Sequence, residues 1–111
     1  MSEISYDDFK KLKMCVGLVK KVERVPETDK LYKLQVDIGK EKPIQIVTSL
    51  VDHYAEEELT GKKIIVLVNL KASEFRGEIS EGMLLCAETE DHSKCVLLTI
   101  EKDIEPGTPV T

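Results

Sequence analysis

The side chains best suited to binding chemistry lie between two strongly apolar runs of the sequence. The runs are 64–68 and 83–87, and the polar segment from Asn69 to Met83 connects them. Lys71 and Arg76 are its cations, accompanied by amide, hydroxyl and thioether groups. Cations attract phosphate, and Arg can also stack its guanidinium plane on a base. Because function is often placed on loops held by a rigid scaffold, this segment is the first candidate binding site.

The uncharged residues of this segment each admit two interpretations. In a binding site, Asn69 and Ser80 would form hydrogen bonds to the ligand, and Met83 would supply an apolar contact. In a purely structural role, Asn69 would cap a turn, Ser80 would bond its own backbone and Met83 would belong to the core. Gly77 and Gly82 are expected to shape the segment rather than to touch a ligand.

Catalytic and metal-binding patterns are missing from the sequence. It has no glycine-rich phosphate loop of known spacing, no Gly-x-Ser-x-Gly and no His-Glu-x-x-His. Cys15 and Cys86 lie in apolar runs and are expected to be buried thiols. Cys95 is close to His92, but in an acidic turn that would raise a thiol pKa. The three cysteines form no Cys-x-x-Cys, so we expect no catalytic residue, metal site, disulfide or cofactor.

Length and composition predict one globular domain covering 1–111, since 41% of the 111 residues are hydrophobic. The formal net charge is −5, which argues against a nucleic-acid partner by itself. The cations, however, concentrate in 10–33 and 62–76, whereas the acids collect elsewhere. This distribution predicts either a basic face on an acidic protein or ordinary solvated lysines. No apolar run reaches membrane-spanning length and the N-terminus lacks a signal peptide, so we expect a cytoplasmic protein without a membrane partner.

Hydrophobic periodicity predicts mostly short strands. Ser5 is expected to cap a short first helix whose core contacts would be Phe9 and Leu12. The clearest alternation, from Tyr32 to Ile38, indicates a half-buried strand. The other predicted elements are strands at 14–25 with a bulge or bend at Gly17, at 44–48, 63–68, 83–87 and 95–100, and a helix at 52–59.

This order is typical of an all-β fold with short helices. Three strands, a helix and two more strands match a five-stranded OB-fold barrel, with a helix between strands 3 and 4 and a C-terminal β tail. A generic Greek-key barrel is the alternative. In either fold, 69–82 is predicted to be a long loop between the fourth and fifth strands.

The residues of that segment resemble a known signature. Asn69-Leu70-Lys71, Arg76-Gly77 and Ser80-Glu81-Gly82-Met83 are similar to the motif of the tRNA-binding OB domain family. The family includes the separate β-subunit or C-terminal domain of methionyl-tRNA synthetases and free-standing structure-specific tRNA-binding proteins. Nearly the whole chain shares the resemblance; the other matching stretches are 6–17, 22–39 and 57–63.

The resemblance implies a protein that recognises the outside corner of tRNA by shape and is not an enzyme. It also implies a homodimer formed through the C-terminal part, and a methionyl-tRNA synthetase catalytic subunit as a candidate partner. Where many relatives have Ser-Gly after the third strand, this chain has Thr48-Ser49. The alternative function is a protein-interaction module, either a peptide-binding export chaperone or a scaffold of synthetase complexes. The nucleic-acid-binding positions that the resemblance implies are Lys30, Asn69, Lys71, Arg76, Ser80 and Met83.

Overall fold

The computed structural model describes residues 1–111, which form two short helices and ten strands. The helices are α1 (Tyr6–Lys10) and α2 (Glu56–Leu59). The strands are β1 (Met14–Arg24), β2 (Tyr32–Asp37), β3 (Ile44–Thr48), β4 (Lys63–Leu67), β5 (Ser73–Phe75), β6 (Glu78–Ser80), β7 (Met83–Leu84), β8 (Cys86–Glu88), β9 (Cys95–Leu97) and β10 (Pro109–Val110).

The main sheet is antiparallel and has the strand order β3-β2-β1-β4-β7, with β10 paired to β1. Helix α2 lies between β3 and β4 in the chain. Five strands that curl into a nearly closed barrel, with a helix between the third and fourth, form the OB-like fold predicted from the sequence. The predicted C-terminal β tail is present as β10.

The interior of the barrel follows the period-two pattern of the sequence. In β2, Leu34 and Val36 are fully buried, whereas Lys33 and Gln35, which alternate with them, are only half-buried. Successive side chains of a strand point to opposite faces, so one face of β2 fills the core and the other faces outwards. The other large, fully buried side chains of the core are Val19, Ile46, Leu50, Leu59, Ile64 and Val66.

Gly17, in the middle of β1, is a packing position rather than the predicted bulge. A Cβ at this position would lie 2.6 Å from Cγ1 of Val36 and 2.9 Å from Cγ2 of Val66. The register shift of β1 occurs further along, between Val19 and Lys21, where the strand passes β2. Glycine at 17 therefore lets β1 approach the interior closely, and the strand bends elsewhere.

Side chains complete the barrel on the open edge of β3. The Ser80 hydroxyl accepts a 3.0 Å hydrogen bond from the Val47 amide, and the Glu81 carboxylate accepts one of 2.8 Å from the Gln45 amide. The Glu81 amide donates in return to the Gln45 carbonyl at 2.7 Å. Two side-chain oxygens thus replace the carbonyls that a neighbouring strand would offer, and the amides of this edge are satisfied.

The predicted loop at 69–82 contains a β-hairpin, so this part of the prediction was wrong. β5 and β6 pair in register, with Ser73 opposite Ser80 and Phe75 opposite Glu78. Three-residue strands are too short to show a clear alternation, which explains why the sequence pattern indicated a loop.

Three other predicted elements are shorter in the structure. The helix expected at 52–59 covers only Glu56–Leu59. The strand expected at 83–87 divides at Leu85 into β7, which pairs with β4, and β8, which pairs with β9. The strand expected at 95–100 ends at Leu97. The division at Leu85 allows one segment to contribute to two sheets.

The N-terminal helix has the predicted cap but not the predicted burial. The Ser5 hydroxyl accepts a 3.0 Å hydrogen bond from the Asp8 amide, which confirms the cap. Phe9 and Leu12 were expected in the core, yet they are 38% and 44% exposed. No residue of α1 is buried. The helix lies beside the C-terminal tail, outside the barrel interior, which the strands fill without it.

The C-terminal tail is fastened to the barrel by backbone and side-chain contacts. The Gly107 amide donates to the Val16 carbonyl at 2.7 Å, and the Val16 amide donates to the Thr108 carbonyl at 2.9 Å. Asp103, earlier in the tail, places its carboxylate 2.7 Å from the ammonium of Lys63 in β4, and this contact lowers the pKa of Asp103. The tail therefore packs along β1 and the start of β4.

Candidate nucleic-acid interface

The β5–β6 hairpin presents a cation at its tip. Arg76 and Gly77 form the two-residue turn, with φ angles of 53° and 84°. Two consecutive positive φ angles are the property of the type I′ turn, which suits the twist of a two-stranded ribbon. Arg76 is exposed, and no carboxylate pairs with it. The turn therefore projects an unpaired guanidinium into solvent.

The hairpin is held against the outer face of the barrel. The Gln45 side-chain amide donates to the Ile79 carbonyl at 2.8 Å, and its oxygen accepts from Gln35 at 3.0 Å. The Lys33 ammonium lies 3.3 Å from the Glu78 carboxylate, and both side chains are mostly buried, at 21% and 28% exposure. These contacts hold the hairpin in place before any ligand binds, which lowers the ordering entropy that binding must overcome.

Ser80 supports the hairpin from inside and is not presented to a ligand in this structure. It is 4% exposed. Its hydroxyl accepts from the Val47 amide and donates to the Gly82 carbonyl, each at 3.0 Å. The hydroxyl proton is thus already used within the chain. Of the two interpretations given above, the structural one describes these contacts.

Asn69 likewise forms structural contacts, at the end of β4. Its side-chain nitrogen donates to the Lys11 carbonyl at 2.7 Å, and its side-chain oxygen accepts from the Lys13 amide at 2.9 Å. These bonds cross 58 and 56 residues of sequence and tie the candidate segment to the turn between α1 and β1. The residue remains exposed, with a fixed orientation.

Besides the fixed but exposed Asn69, the predicted site residues that the structure leaves open to solvent on this segment are Lys71, Arg76 and Met83. Lys71 is exposed and, like Arg76, forms no ion pair. Met83 is 37% exposed although it belongs to β7, so its side chain is available for contact rather than enclosed in the core. The structure adds apolar neighbours that the sequence prediction did not include, and they are Leu70, Phe75 and Ile79.

Lys30 lies in a separate feature of the surface. Its ammonium is 3.7 Å from the Asp52 carboxylate, and both side chains are largely exposed. The two residues line a polar cleft of about 350 Å³ whose walls include no residue of 69–83. Ser49, where relatives were expected to have glycine, also lines this cleft. The other residues of its lining are His53, Glu88 and His92.

Neither a reactive Cys86 thiolate nor a cluster of metal ligands is present in the structure. Burial, followed by the neighbouring Cys95 thiol, raises the pKa of Cys86 to about 12, so this thiol stays protonated near neutrality. A protonated thiol is a poor nucleophile. No group of three or more His, Cys, Asp or Glu side chains is arranged to hold a metal ion. No helix has both the length and the apolar character required to cross a bilayer.

Comparison with known proteins gives one family. The model of the family described as "Putative tRNA binding domain" matches residues 14–109. Among curated proteins, the methionine–tRNA ligase of Archaeoglobus fulgidus is 50% identical over 108 residues, covering 97% of this chain and 16% of the ligase. That of Methanocorpusculum labreanum is 52% identical over 107 residues, covering 96% and 15%. The chain thus spans only about a sixth of the length of these relatives.

Two solved structures resemble the whole chain. The methionyl-tRNA synthetase related protein from Pyrococcus horikoshii has a TM-score of 0.93 and 45% identity, with 100% of both chains covered. The CsaA chaperone protein from Picrophilus torridus has a TM-score of 0.87 and 33% identity, covering 98% of this chain and 100% of its own.

Proposed function

The chain belongs to the tRNA-binding domain family, and from that premise we propose that it binds tRNA by shape, in the cytoplasm, and catalyses no reaction. The single observation that carries this proposal is the fixed hairpin with the unpaired Arg76 at its tip. A protein that binds all tRNAs must recognise the features they share, which are the phosphate backbone, the 2′-hydroxyls and a few unstacked bases. The hairpin offers groups of the matching kinds.

The six predicted residues take different roles in this proposal. Lys71 and Arg76 contact phosphates, and Met83 provides the apolar contact at the outside corner of the RNA. Lys30 contacts the backbone from the separate polar cleft. Asn69 and Ser80 act indirectly, since their hydrogen bonds hold the segment in position. With a net charge of −5, the protein depends on these local cations, so its affinity should fall steeply with salt.

Replacing Arg76 by alanine should weaken tRNA binding and reduce its salt dependence. Each phosphate contact contributes close to one unit to the slope of log affinity against log salt, so the variant should lose about one unit. The measurement is filter binding of bulk tRNA over a series of salt concentrations.

Lys102→Ala is the matched control for this charge. Lys102 adjoins Asp103, which contacts Lys63 at the start of β4, whereas the candidate segment follows the other end of that strand. The control should retain the wild-type slope. An unchanged slope in Arg76→Ala would remove Arg76 from the RNA contact.

We further propose that a methionyl-tRNA synthetase is the functional partner. The chain corresponds to about a sixth of the methionine–tRNA ligases it resembles and to the full length of the synthetase-related protein. A tRNA-binding module next to a catalytic subunit raises the local tRNA concentration even when its own affinity is weak. A pull-down from native cytosol that recovers no synthetase would contradict this partnership.

A second copy of the chain is the proposed occupant of the apolar surface beside α1. A cavity of about 560 Å³ opens between this helix and the tail. Its walls include Tyr6, Phe9 and Leu12, whose exposed fractions are 72%, 38% and 44%, together with Pro109 and Val110. The homodimer predicted through the C-terminal part would cover these side chains. It would thereby explain why α1 has an apolar face although none of its residues is buried in the barrel core.

Phe9→Glu is expected to convert this dimer to a monomer, because a carboxylate cannot be buried there without a partner. Sedimentation velocity at micromolar concentration would measure the change. Val96→Glu serves as the control, since Val96 is 57% exposed on β9 and does not line the cavity. A wild-type protein that sediments as a monomer would contradict the proposed dimer.

Protein binding is the second candidate function, favoured by the likeness to a protein named as a chaperone. Titrations of bulk tRNA and of an unfolded peptide, each at two salt concentrations, distinguish the functions. Tight, salt-sensitive tRNA binding with weak peptide binding supports the RNA function. The opposite result supports the protein-interaction module.

A further inference from the structure

Only one aromatic side chain of this protein is positioned to stack on a base at the candidate interface. The chain has three Tyr, two Phe and no Trp. Tyr32 is 4% exposed, and the Tyr54 hydroxyl accepts a hydrogen bond from the Leu97 amide with the Lys62 ammonium over its ring. The other three aromatic residues are Tyr6 and Phe9, which line the cavity beside α1, and Phe75.

Phe75 lies at the end of β5, immediately before the turn residue Arg76. It is 38% exposed, so part of its ring is in contact with solvent. An aromatic ring beside a guanidinium can receive a base on the ring and its phosphate on the cation.

The charge around Phe75 also suits a nucleic acid. Its direct cross-strand partner is Glu78, whose carboxylate would repel a phosphate. The Lys33 ammonium, 3.3 Å away, neutralises that carboxylate. Strand alternation places Glu74, the nearest other acid, on the opposite face of the hairpin together with Ile79. Phe75 thus shares the barrel-facing side of the hairpin with Glu78 and the buried Ser80. The exposed part of its ring lies at the end of the hairpin, next in sequence to the unpaired Arg76.

We propose that Phe75 is the stacking platform for an unstacked base of tRNA, with Arg76 on the adjoining phosphate. This inference rests on the proposed function and adds to it a specific residue and a specific mode of contact. It differs from a packing role, in which any apolar side chain of similar volume at 75 would serve equally.

A tryptophan introduced at 75 would report the contact directly. Because the protein has no Trp, Phe75→Trp creates the only indole in the chain. Stacking of a base on that indole should quench its fluorescence, with the same midpoint as tRNA binding measured by filter binding. Ile104→Trp is the control, since Ile104 is 43% exposed in the tail next to Asp103, which contacts the start of β4, far from the candidate segment. Its fluorescence should be quenched much less.

Heparin separates stacking from charge, since it is a polyanion without bases. It should compete with tRNA for the cations but leave the fluorescence of the Phe75→Trp variant largely unchanged. Equal quenching by heparin and tRNA, or equal quenching in the Phe75→Trp and Ile104→Trp variants, would overturn the stacking assignment.

The tRNA affinities of two further variants distinguish stacking from simple packing at position 75. Phe75→Leu keeps an apolar side chain and should bind tRNA about ten-fold more weakly, whereas Phe75→Tyr should bind like the wild type. Thermal unfolding of both variants checks that the fold is intact. Wild-type affinity in a folded Phe75→Leu variant would overturn this inference and leave the proposed function standing. Absence of tRNA binding by the wild type would overturn both.

Discussion

Replacing Gly107 by alanine is expected to lower the free energy of unfolding by about 3 kcal/mol. Gly107 has a φ angle of +90°, which disfavours any residue with a Cβ. The added Cβ would also lie 2.5 Å from the Ile38 carbonyl oxygen and 3.1 Å from the Cα of Gly39. Both neighbours are backbone atoms, so no side-chain rotation can relieve the contact.

The expected consequence is detachment of the tail from β1. The Gly107 amide and the Thr108 carbonyl both bond to Val16, and neither bond can be kept if the backbone moves away. Pro109 and Val110 then leave the cavity beside α1, so self-association should weaken together with stability. Urea denaturation measures the first effect and sedimentation velocity the second.

Gly61→Ala is the matched control for the backbone angle. Gly61 has a φ angle of +85°, but no atom lies within 4 Å of the place that an added Cβ would occupy. Its replacement by alanine should lower the free energy of unfolding by about 1 kcal/mol, which is the cost of the left-handed backbone angle alone. If both alanine variants lost the same stability, the close approach of the tail to Gly39 would not constrain the fold.

Ser80→Ala is expected to destabilise the protein by about 2 kcal/mol and to weaken tRNA binding without removing any surface group. The substitution leaves the buried Val47 amide without its 3.0 Å acceptor and the Gly82 carbonyl without its donor. An unsatisfied buried donor loses its full hydration energy, which is why the effect exceeds that of an ordinary hydrogen bond. The hairpin that carries Arg76 should then lose its fixed position.

Ser73 offers a control on the same hairpin. It pairs directly with Ser80 across β5 and β6 but is exposed, so Ser73→Ala should change stability by less than about 0.5 kcal/mol. Urea denaturation and tRNA filter binding should be measured on both variants. A Ser80→Ala protein with wild-type stability would show that the barrel does not need this side chain to close.

The local hydrophobic pattern of the sequence predicted most of the strands of the barrel. Alternation from Tyr32 to Ile38 identified which face of β2 enters the core, since a strand with one buried face must repeat every second residue. The apolar run before the candidate segment became β4, and the run after it supplied β7 and the start of β8. The cations between them, Lys71 and Arg76, lie exposed on the surface. The motif in that segment was enough to identify the family.

Tertiary structure alone decided what the polar residues of the segment do. Ser80 meets Val47, 33 positions away in sequence, and Asn69 meets Lys11, 58 positions away. A hydroxyl that binds RNA and one that binds a distant backbone amide have the same residue type, so no local pattern separates them. The same limit applies to Phe75, whose partial exposure depends on how the hairpin lies on β3.

Phe9 and Leu12 show that the sequence pattern did not predict where the apolar side chains beside α1 would pack. An amphipathic spacing indicates that a helix has an apolar face, but it does not indicate what covers that face. Here the strands fill the barrel without α1, so the apolar face is left exposed beside the tail. The sequence by itself therefore determined the strands of the barrel, the family and the cationic segment, but not the hairpin within that segment. The fold decided which side chains hold the hairpin and which ones it presents, because those roles depend on contacts between residues far apart in the chain.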